Sequence, residues 1–317
     1  MTVSVNKKAM KIVQELLSDP EFYNINVEQL ASGATIIDTG LEVAGGYMTG
    51  LKLTEIAIGG LGKASMSVTS YNGLVLPTVF VATDYPAVSL FGSQLAGWSV
   101  KVGDFSAMGS GPARALALKP KKVFEKIKYR DYYDQAVLLL ETKGKPTDEV
   151  AIEISEKCGV KPNNLYLILT TANSLSGSVQ VSGRVVETGL YTLDFLGIDP
   201  LIVASGVGYA PIMPVHPSEN VTLGREEDAL IYGGVAYFTV EFDDDKELRN
   251  LVEAAPAANS KDYGKNSYER LKSVNFDWSK LDPAFFTVGS ISVHNIKSGK
   301  THSAGSINQK MLNESVK

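Results

Sequence analysis

Apolar spacing along the chain predicts most of its elements. In Lys7–Leu17 the residues Met10, Val13 and Leu17 form one stripe at helical spacing, which predicts an amphipathic helix. Short runs rich in Val, Ile, Leu or Thr predict strands at Thr35–Asp38, Ser65–Thr69, Thr78–Thr83, Trp98–Val102, Gln135–Leu140 and Leu165–Thr170. Leu51–Ile58 fits helix and strand equally. Asp84 and Pro86 open a helix running through Leu90 to Leu95, which Gly97 stops. Thr147 opens another, with Asp148 and Glu149 in its first turn and Gly159 at its end.

Across Gly177–Leu196, Val179, Val186, Leu190 and Leu193 recur at helical spacing, with Gly183 the weak point. Gly206–Pro211 predicts a rigid loop, because Pro211, Pro214 and Pro217 forbid a following helix. Ala229–Tyr232 and Val235–Phe242 flank Gly233-Gly234 as the arms of a β-hairpin would. Asp244 or Asp245 caps a helix through Leu248, Leu251 and Val252, closed by Pro256, and a short helix follows near Tyr268–Val274. Phe286–His294 and Thr301–Ile307 read as paired strands around Ser298-Gly299, and the last residues as a frayed end. Helices and strands mix without strict βαβ alternation, so the class is α+β.

A length of 317 residues admits two domains. The polar stretch Glu141–Pro146 is the best linker and divides 1–143 from 144–317, with the C-terminal strands free to return to the first domain. A net charge of −5 makes no electrostatic case for nucleic acid. No apolar run is long enough to span a membrane, and the N-terminus lacks a signal-peptide core. The single cysteine, Cys158, fits a reducing cytoplasm.

The chemistry narrows by elimination. Gly59-Gly60-Leu61-Gly62-Lys63 resembles a phosphate loop, but Ala57 and Ala64 break the required pattern. Gly206-Val207-Gly208 lacks the third glycine of a dinucleotide fingerprint. The three histidines, His216, His294 and His302, have no zinc-like spacing, and no G-x-S-x-G elbow is present. No metal site is therefore expected, and carboxylate chemistry remains. The basic stretch Lys119–Arg130 reads as a solvated face.

Arg184 and Glu187 lie three residues apart and share a helical face. Their neighbours are Val, Gly, Ser and Thr, so they read either as a surface ion pair or as a charged pair in a cleft. A Gly109-Ser110-Gly111 turn before Pro112 would leave N–H groups pointing outward at a helix start, where Arg114 adds a charge. That stretch reads either as an anion site or as an ordinary capped helix with a solvated arginine.

Several motifs, in order along most of the chain, resemble the methenyltetrahydromethanopterin cyclohydrolase family of archaeal one-carbon metabolism. They are Ala96–Phe105, Gly109–Pro120, Gly177–Gly189, Ala210–Pro217, Ile231–Gly234 and Asp282–Phe286. The resemblance implies two α+β domains facing each other across a large pocket, a cytoplasmic homotrimer, and no cofactor beyond the pterin substrate itself. It implies hydrolysis of the methenyl bridge between two pterin-carrier nitrogens, with Arg184 and Glu187 matching the family's catalytic pair. In that reading Glu187 is the general acid and base, and Arg184 orients it and keeps it ionised. Further substrate contacts are expected at Ser93, Gln94, Ser110, Gly111, Arg114, Gln180 and Ser182, each of which also reads as a satisfied turn or cap. Three positions depart from the family pattern, Glu226 and Glu227 after Arg225 and Ser106 in place of an aromatic. The alternatives are a non-catalytic carrier-binding protein and another pterin-dependent one-carbon enzyme.

Overall fold

The computed structural model describes residues 3–277, 280–281 and 285–317. Its elements begin with α1 (Val5–Ser18), β1 (Asn26–Gln29), β2 (Thr35–Asp38), α2 (Tyr47–Ala57), β3 (Gly62–Tyr71), β4 (Leu74–Thr83) and a π-helix (Ala87–Gln94). Next come β5 (Trp98–Val102), β6 (Phe105–Ser110), α3 (Ala113–Ala117), α4 (Lys121–Ile127), β7 (Ala136–Thr142), α5 (Asp148–Cys158), β8 (Leu165–Thr170) and α6 (Leu175–Ser182). The remainder is α7 (Val185–Phe195), β9 (Val203–Pro211), α8 (Glu219–Gly233), β10 (Val235–Val240), α9 (Asp245–Ala254), α10 (Ser267–Ser273), β11 (Ser290–Asn295), β12 (Lys300–Gly305) and α11 (Gln309–Ser315). The α+β class stands, with two mixed six-stranded sheets.

The chain forms two compact units. The first holds the residues up to Lys63 together with Ala87–Gln180, and the second holds Ala64–Pro86 together with Val181–Lys317. The expected division at 143/144 falls inside the first unit, between β7 and α5. The reason is sheet membership: β8, beyond that division, pairs with β2 and β7 of the first sheet, whereas the early β3–β4 segment belongs to the second. Glu141 and Thr142, expected in a linker, close strand β7.

In the first unit the sheet order is β1-β2-β8-β7-β6-β5, with β8 parallel to both β2 and β7. Both faces of this sheet are covered. Leu138 and Leu140 of β7 and Leu167 and Leu169 of β8 pack with Val150, Ile154 and Cys158 of α5. Val137, Leu139 and Ile168 pack on the other side with Val13, Leu16, Leu53 and Ile56 of α1 and α2. That is why β7 and β8 read as unbroken apolar runs. α5 begins and ends on the expected signals, since Thr147 accepts the Val150 amide and Gly159 turns into the left-handed region at φ 69°. Cys158 sits in this core, and burial pushes its thiol up to about 12, so packing is its role.

In the second unit the order is β12-β11-β10-β9-β4-β3. Two expectations change here. Gly206–Pro211 is not a loop but the end of strand β9, paired antiparallel with β4 and β10. Ala229–Tyr232 is not a hairpin arm but the buried last turns of α8; four apolar residues in a row conceal the helical period.

The glycines of β9 serve α7. A Cβ at Gly206 would lie 2.8 Å from Val186, and one at Gly208 would lie 3.1 Å from Val186 and 2.6 Å from the Val235 carbonyl. From the helix side, a Cβ at Gly189 would meet the Cβ of Ala236 at 2.9 Å and Phe238 at 3.1 Å. Glycine in a helix interior costs about 1 kcal/mol against alanine, so its presence here reflects close approach to the sheet. Gly189→Val should destabilise the protein by about 1–3 kcal/mol through overpacking and lower turnover by moving Glu187. Thermal melts and initial rates check this, and a variant as stable and active as the parent would refute the packing argument.

The C-terminus is not frayed. α11 docks through Met311 and Leu312, and Arg225 donates to the carbonyls of Ser315 and Val316, both at 3.0 Å. Asp228, fully buried on α8, accepts the Ser267 amide at 2.9 Å and the Ser315 hydroxyl at 2.7 Å, fastening α10 and α11. Burial pushes its carboxyl up to about 6, against hydrogen bonds and the nearby Arg270 charge that lower it. The folded state thus holds this proton more tightly than the unfolded state. Stability should fall as pH rises from about 4 to 6, by roughly 3 kcal/mol for a two-unit shift. Asp228→Asn should flatten that part of the stability–pH curve; an unchanged slope would show that Asp228 does not cause it.

Candidate active site

The predicted helix Gly177–Leu196 is two helices, α6 and α7, broken at Gly183-Arg184. The Arg184 amide closes a tight turn onto the Val181 carbonyl at 2.9 Å, and the Arg184 carbonyl accepts the Thr188 amide at 2.8 Å to begin α7. Arg184 is therefore the cap of α7, and Glu187 lies in its first turn. Arg184 Nη1 stands 3.5 Å from Glu187 Oε2. The side chains are only 13% and 9% exposed, which rules out an ordinary surface pair. Two sources attract the carboxylate's negative charge, the guanidinium and the positive end of the α7 dipole.

Tyr191, four residues beyond Glu187, lies on the same face of α7, with Thr192 next to it in the chain. Thr192 donates to the carbonyls of Thr188 and Phe286, both at 3.1 Å. The Tyr191 ring meets Phe286 edge-on, with centroids 6.4 Å apart. Burial raises the Tyr191 phenol above its ordinary value, and the negative charges of Glu187 and Asp194 add to the effect. Sequence reasoning did not single out Tyr191, although its spacing of four from Glu187 places it on the same face. Of the Asp282–Phe286 motif, Asp282, Pro283 and Ala284 lie outside the described residues.

The other expected site residues serve several ends. The buried Ser182 hydroxyl donates to the Pro211 carbonyl at 2.9 Å, tying the end of α6 to β9. Gln180 is 3% exposed, and its amide oxygen has no hydrogen-bond partner among the described residues. Gly177 faces its own chain: a Cβ there would lie 1.9 Å from the Thr171 carbonyl.

Within the first unit, Ser93, Gly111 and Arg114 meet, with Gln94 and Ser110 buried beside them in the chain. The Ser93 carbonyl accepts the Gly111 amide at 2.8 Å and Arg114 Nη1 at 2.9 Å, while the Ser93 hydroxyl donates to the Ala57 carbonyl at 2.5 Å. Arg114 is not a solvated arginine but a fully buried one. It also donates to the carbonyls of Phe91 at 3.0 Å and Lys119 at 2.8 Å. An anion would have to compete with these carbonyls for its donors. Ser93 and Gln94 end a π-helix where an α-helix was expected, a rare geometry that is frequent at functional sites.

The family model described as Cyclohydrolase (MCH) matches residues 4–316. The chain belongs to this family. It is 41% identical over 317 residues to the methenyltetrahydromethanopterin cyclohydrolase of Methanocaldococcus jannaschii, covering 99% of this chain and 98% of that one. It is 40% identical over 313 residues to the enzyme of that name from Methanococcoides burtonii, at 99% and 98% coverage. It is 40% identical over 316 residues to the one from Methanothermobacter marburgensis, at 99% of both chains. This cyclohydrolase-family chain thus carries the Arg184–Glu187 pair within a match that spans nearly all of its length. Among the described residues, no helix is long and apolar enough to cross a membrane.

Proposed function

We propose that this protein hydrolyses the methenyl bridge of methenyltetrahydromethanopterin, reversibly, to the formyl carrier. The observation that supports this most is the shielded Arg184–Glu187 pair at the head of α7 in a chain of this family. The methenyl carbon lies in an amidinium cation and is already electrophilic, so the reaction needs no metal or nucleotide to polarise it. It lacks only a nucleophile at neutral pH.

Glu187 takes a proton from water as the oxygen attacks that carbon, giving a neutral carbinolamine-type intermediate. The carboxyl group then returns the proton to the departing nitrogen as the carbon–nitrogen bond breaks. The intermediate's hydroxyl proton leaves as the carbonyl forms. One proton is released overall, which balances the positive charge of the substrate. Arg184 holds the carboxylate charged and aimed between these steps. Ring closure passes through the same transition state, so the same residues serve both directions. Gln180, with its buried amide oxygen, is the best supported of the further substrate contacts.

The family resemblance also supports a homotrimer acting in the cytoplasm, which light scattering of the purified protein tests for assembly. For the activity, the purified protein is mixed with the methenyl carrier, whose near-ultraviolet band disappears on ring opening. Loss of the band without added metal or nucleotide is the expected result. Binding without loss would instead indicate a carrier-binding protein, and dependence on a nicotinamide would indicate a dehydrogenase.

A further inference from the structure

The break between α6 and α7 is the turn Val181-Ser182-Gly183-Arg184, closed by the Arg184 amide on the Val181 carbonyl at 2.9 Å. Ser182 stands at its first corner, fully buried, with its hydroxyl donating to the Pro211 carbonyl at 2.9 Å. That acceptor is firmly held. Pro211 ends β9 opposite Thr78 of β4, and the next amide, of Ile212, donates to the Pro77 carbonyl at 2.8 Å. A Cβ at Gly233 would lie 2.6 Å from the Pro211 ring, so the end of α8 sits tight against it. The same strand grips the chain again beyond the turn, where Val186 packs on Gly206 and Gly208. Arg184 thus lies between two anchors on β9, a hydrogen bond two residues before it and a packed side chain two residues after it.

We propose that Ser182 is a positioning residue for the acid–base step. Its hydrogen bond to Pro211 fixes the turn that delivers Arg184 to the head of α7, and so sets the guanidinium against Glu187. This rests on the reading of Glu187 as general base. Gly183, at the second corner, gives the turn no stiffness of its own, so its path depends on an outside tether. The pair it sets is sensitive to that path. At 3.5 Å the Arg184–Glu187 contact stands at the limit of hydrogen bonding, where a small shift of the backbone loses it. The hydroxyl acts through the backbone of Pro211 and Arg184, not by touching the carrier.

The test uses the full chain and the absorbance assay. Ser182→Ala removes the donor, whereas Ser182→Cys fills the same space with a much weaker one. In Ser182→Ala kcat should fall about 10- to 100-fold, the loss that a misplacement on the order of 1 Å can cause, with KM within about twofold of the parent. Ser182→Cys should keep most of that defect while melting close to the parent, and it carries the same kinetic reading should Ser182→Ala fail to fold. Parental kcat in Ser182→Ala would overturn the proposal. Full recovery in Ser182→Cys would also overturn it and assign the residue to packing. A raised KM at unchanged kcat would overturn it as well and make the serine a direct contact of the carrier. Glu187→Gln separates the two readings. If it stays near full turnover, the acid–base reading itself fails; if it collapses while Ser182→Ala is normal, only the role of Ser182 fails.

Discussion

Replacing Glu187 with glutamine is expected to lower turnover by about 10²- to 10⁴-fold, the usual contribution of general acid–base catalysis. Glutamine has the shape of glutamate and its carbonyl can still accept from Arg184 across the 3.5 Å that separates the pair. It cannot take a proton from water. The loss should therefore appear in kcat, with substrate binding close to that of the parent. The pH profile is the sharper readout. If the carboxylate is the base, the parent loses activity on the acid side as Glu187 is protonated, whereas the residual rate of the variant has no such limb. Removing one member of a shielded ion pair costs stability when the other charge is stranded. Here Arg184 keeps some exposure and a neutral acceptor, so a parental circular dichroism spectrum is expected. A variant that folds and retains near-normal hydrolysis would sink the mechanism.

Local signals account for what was legible in the sequence. Thr147 and Gly159 marked the ends of α5 because a cap and a left-handed turn depend on residues at those positions alone. β7 and β8 were visible because burial on both faces leaves an unbroken apolar run. The Arg184–Glu187 pair was visible because a spacing of three sets a shared face whatever surrounds it. Non-local features were hidden. The glycines of β9 looked like a loop because their reason is Val186 on another element. The membership of β3 and β4 in the second sheet is a property of pairing, which sequence order does not display. The break between α6 and α7 is foreshadowed by Gly183, yet its consequence, Glu187 in the first turn of a new helix, depends on how the chain restarts after the break.

Arg114 shows the same limit most sharply, and its replacement should have the second large effect. A basic residue after a Gly-Ser-Gly turn and a proline suggests a phosphate ligand from sequence. In the fold it is fully buried among backbone acceptors, with its guanidinium 5.6 Å from the centre of the Phe124 ring. Gly97 makes the space, since a Cβ there would lie 3.0 Å from Arg114 Nη2. In Arg114→Met the Ser93 carbonyl keeps the Gly111 amide, but the carbonyls of Phe91 and Lys119 lose the donor from Arg114. The buried Phe91 carbonyl left unsatisfied costs about 1–3 kcal/mol and the Lys119 carbonyl, on an exposed residue, costs less, so a total of about 2–4 kcal/mol is expected. Arg114→Lys should recover only part of it, because an ammonium is a point charge and cannot reproduce the planar fork. The two units need not melt together, so a single melting temperature is a blunt measure. Hydrogen exchange across β6, β7 and the π-helix reads the first unit directly, and faster exchange there is the expected result. If Arg114→Met leaves exchange and stability at parental values and instead raises KM for the carrier, the arginine serves an anion and the structural assignment is wrong.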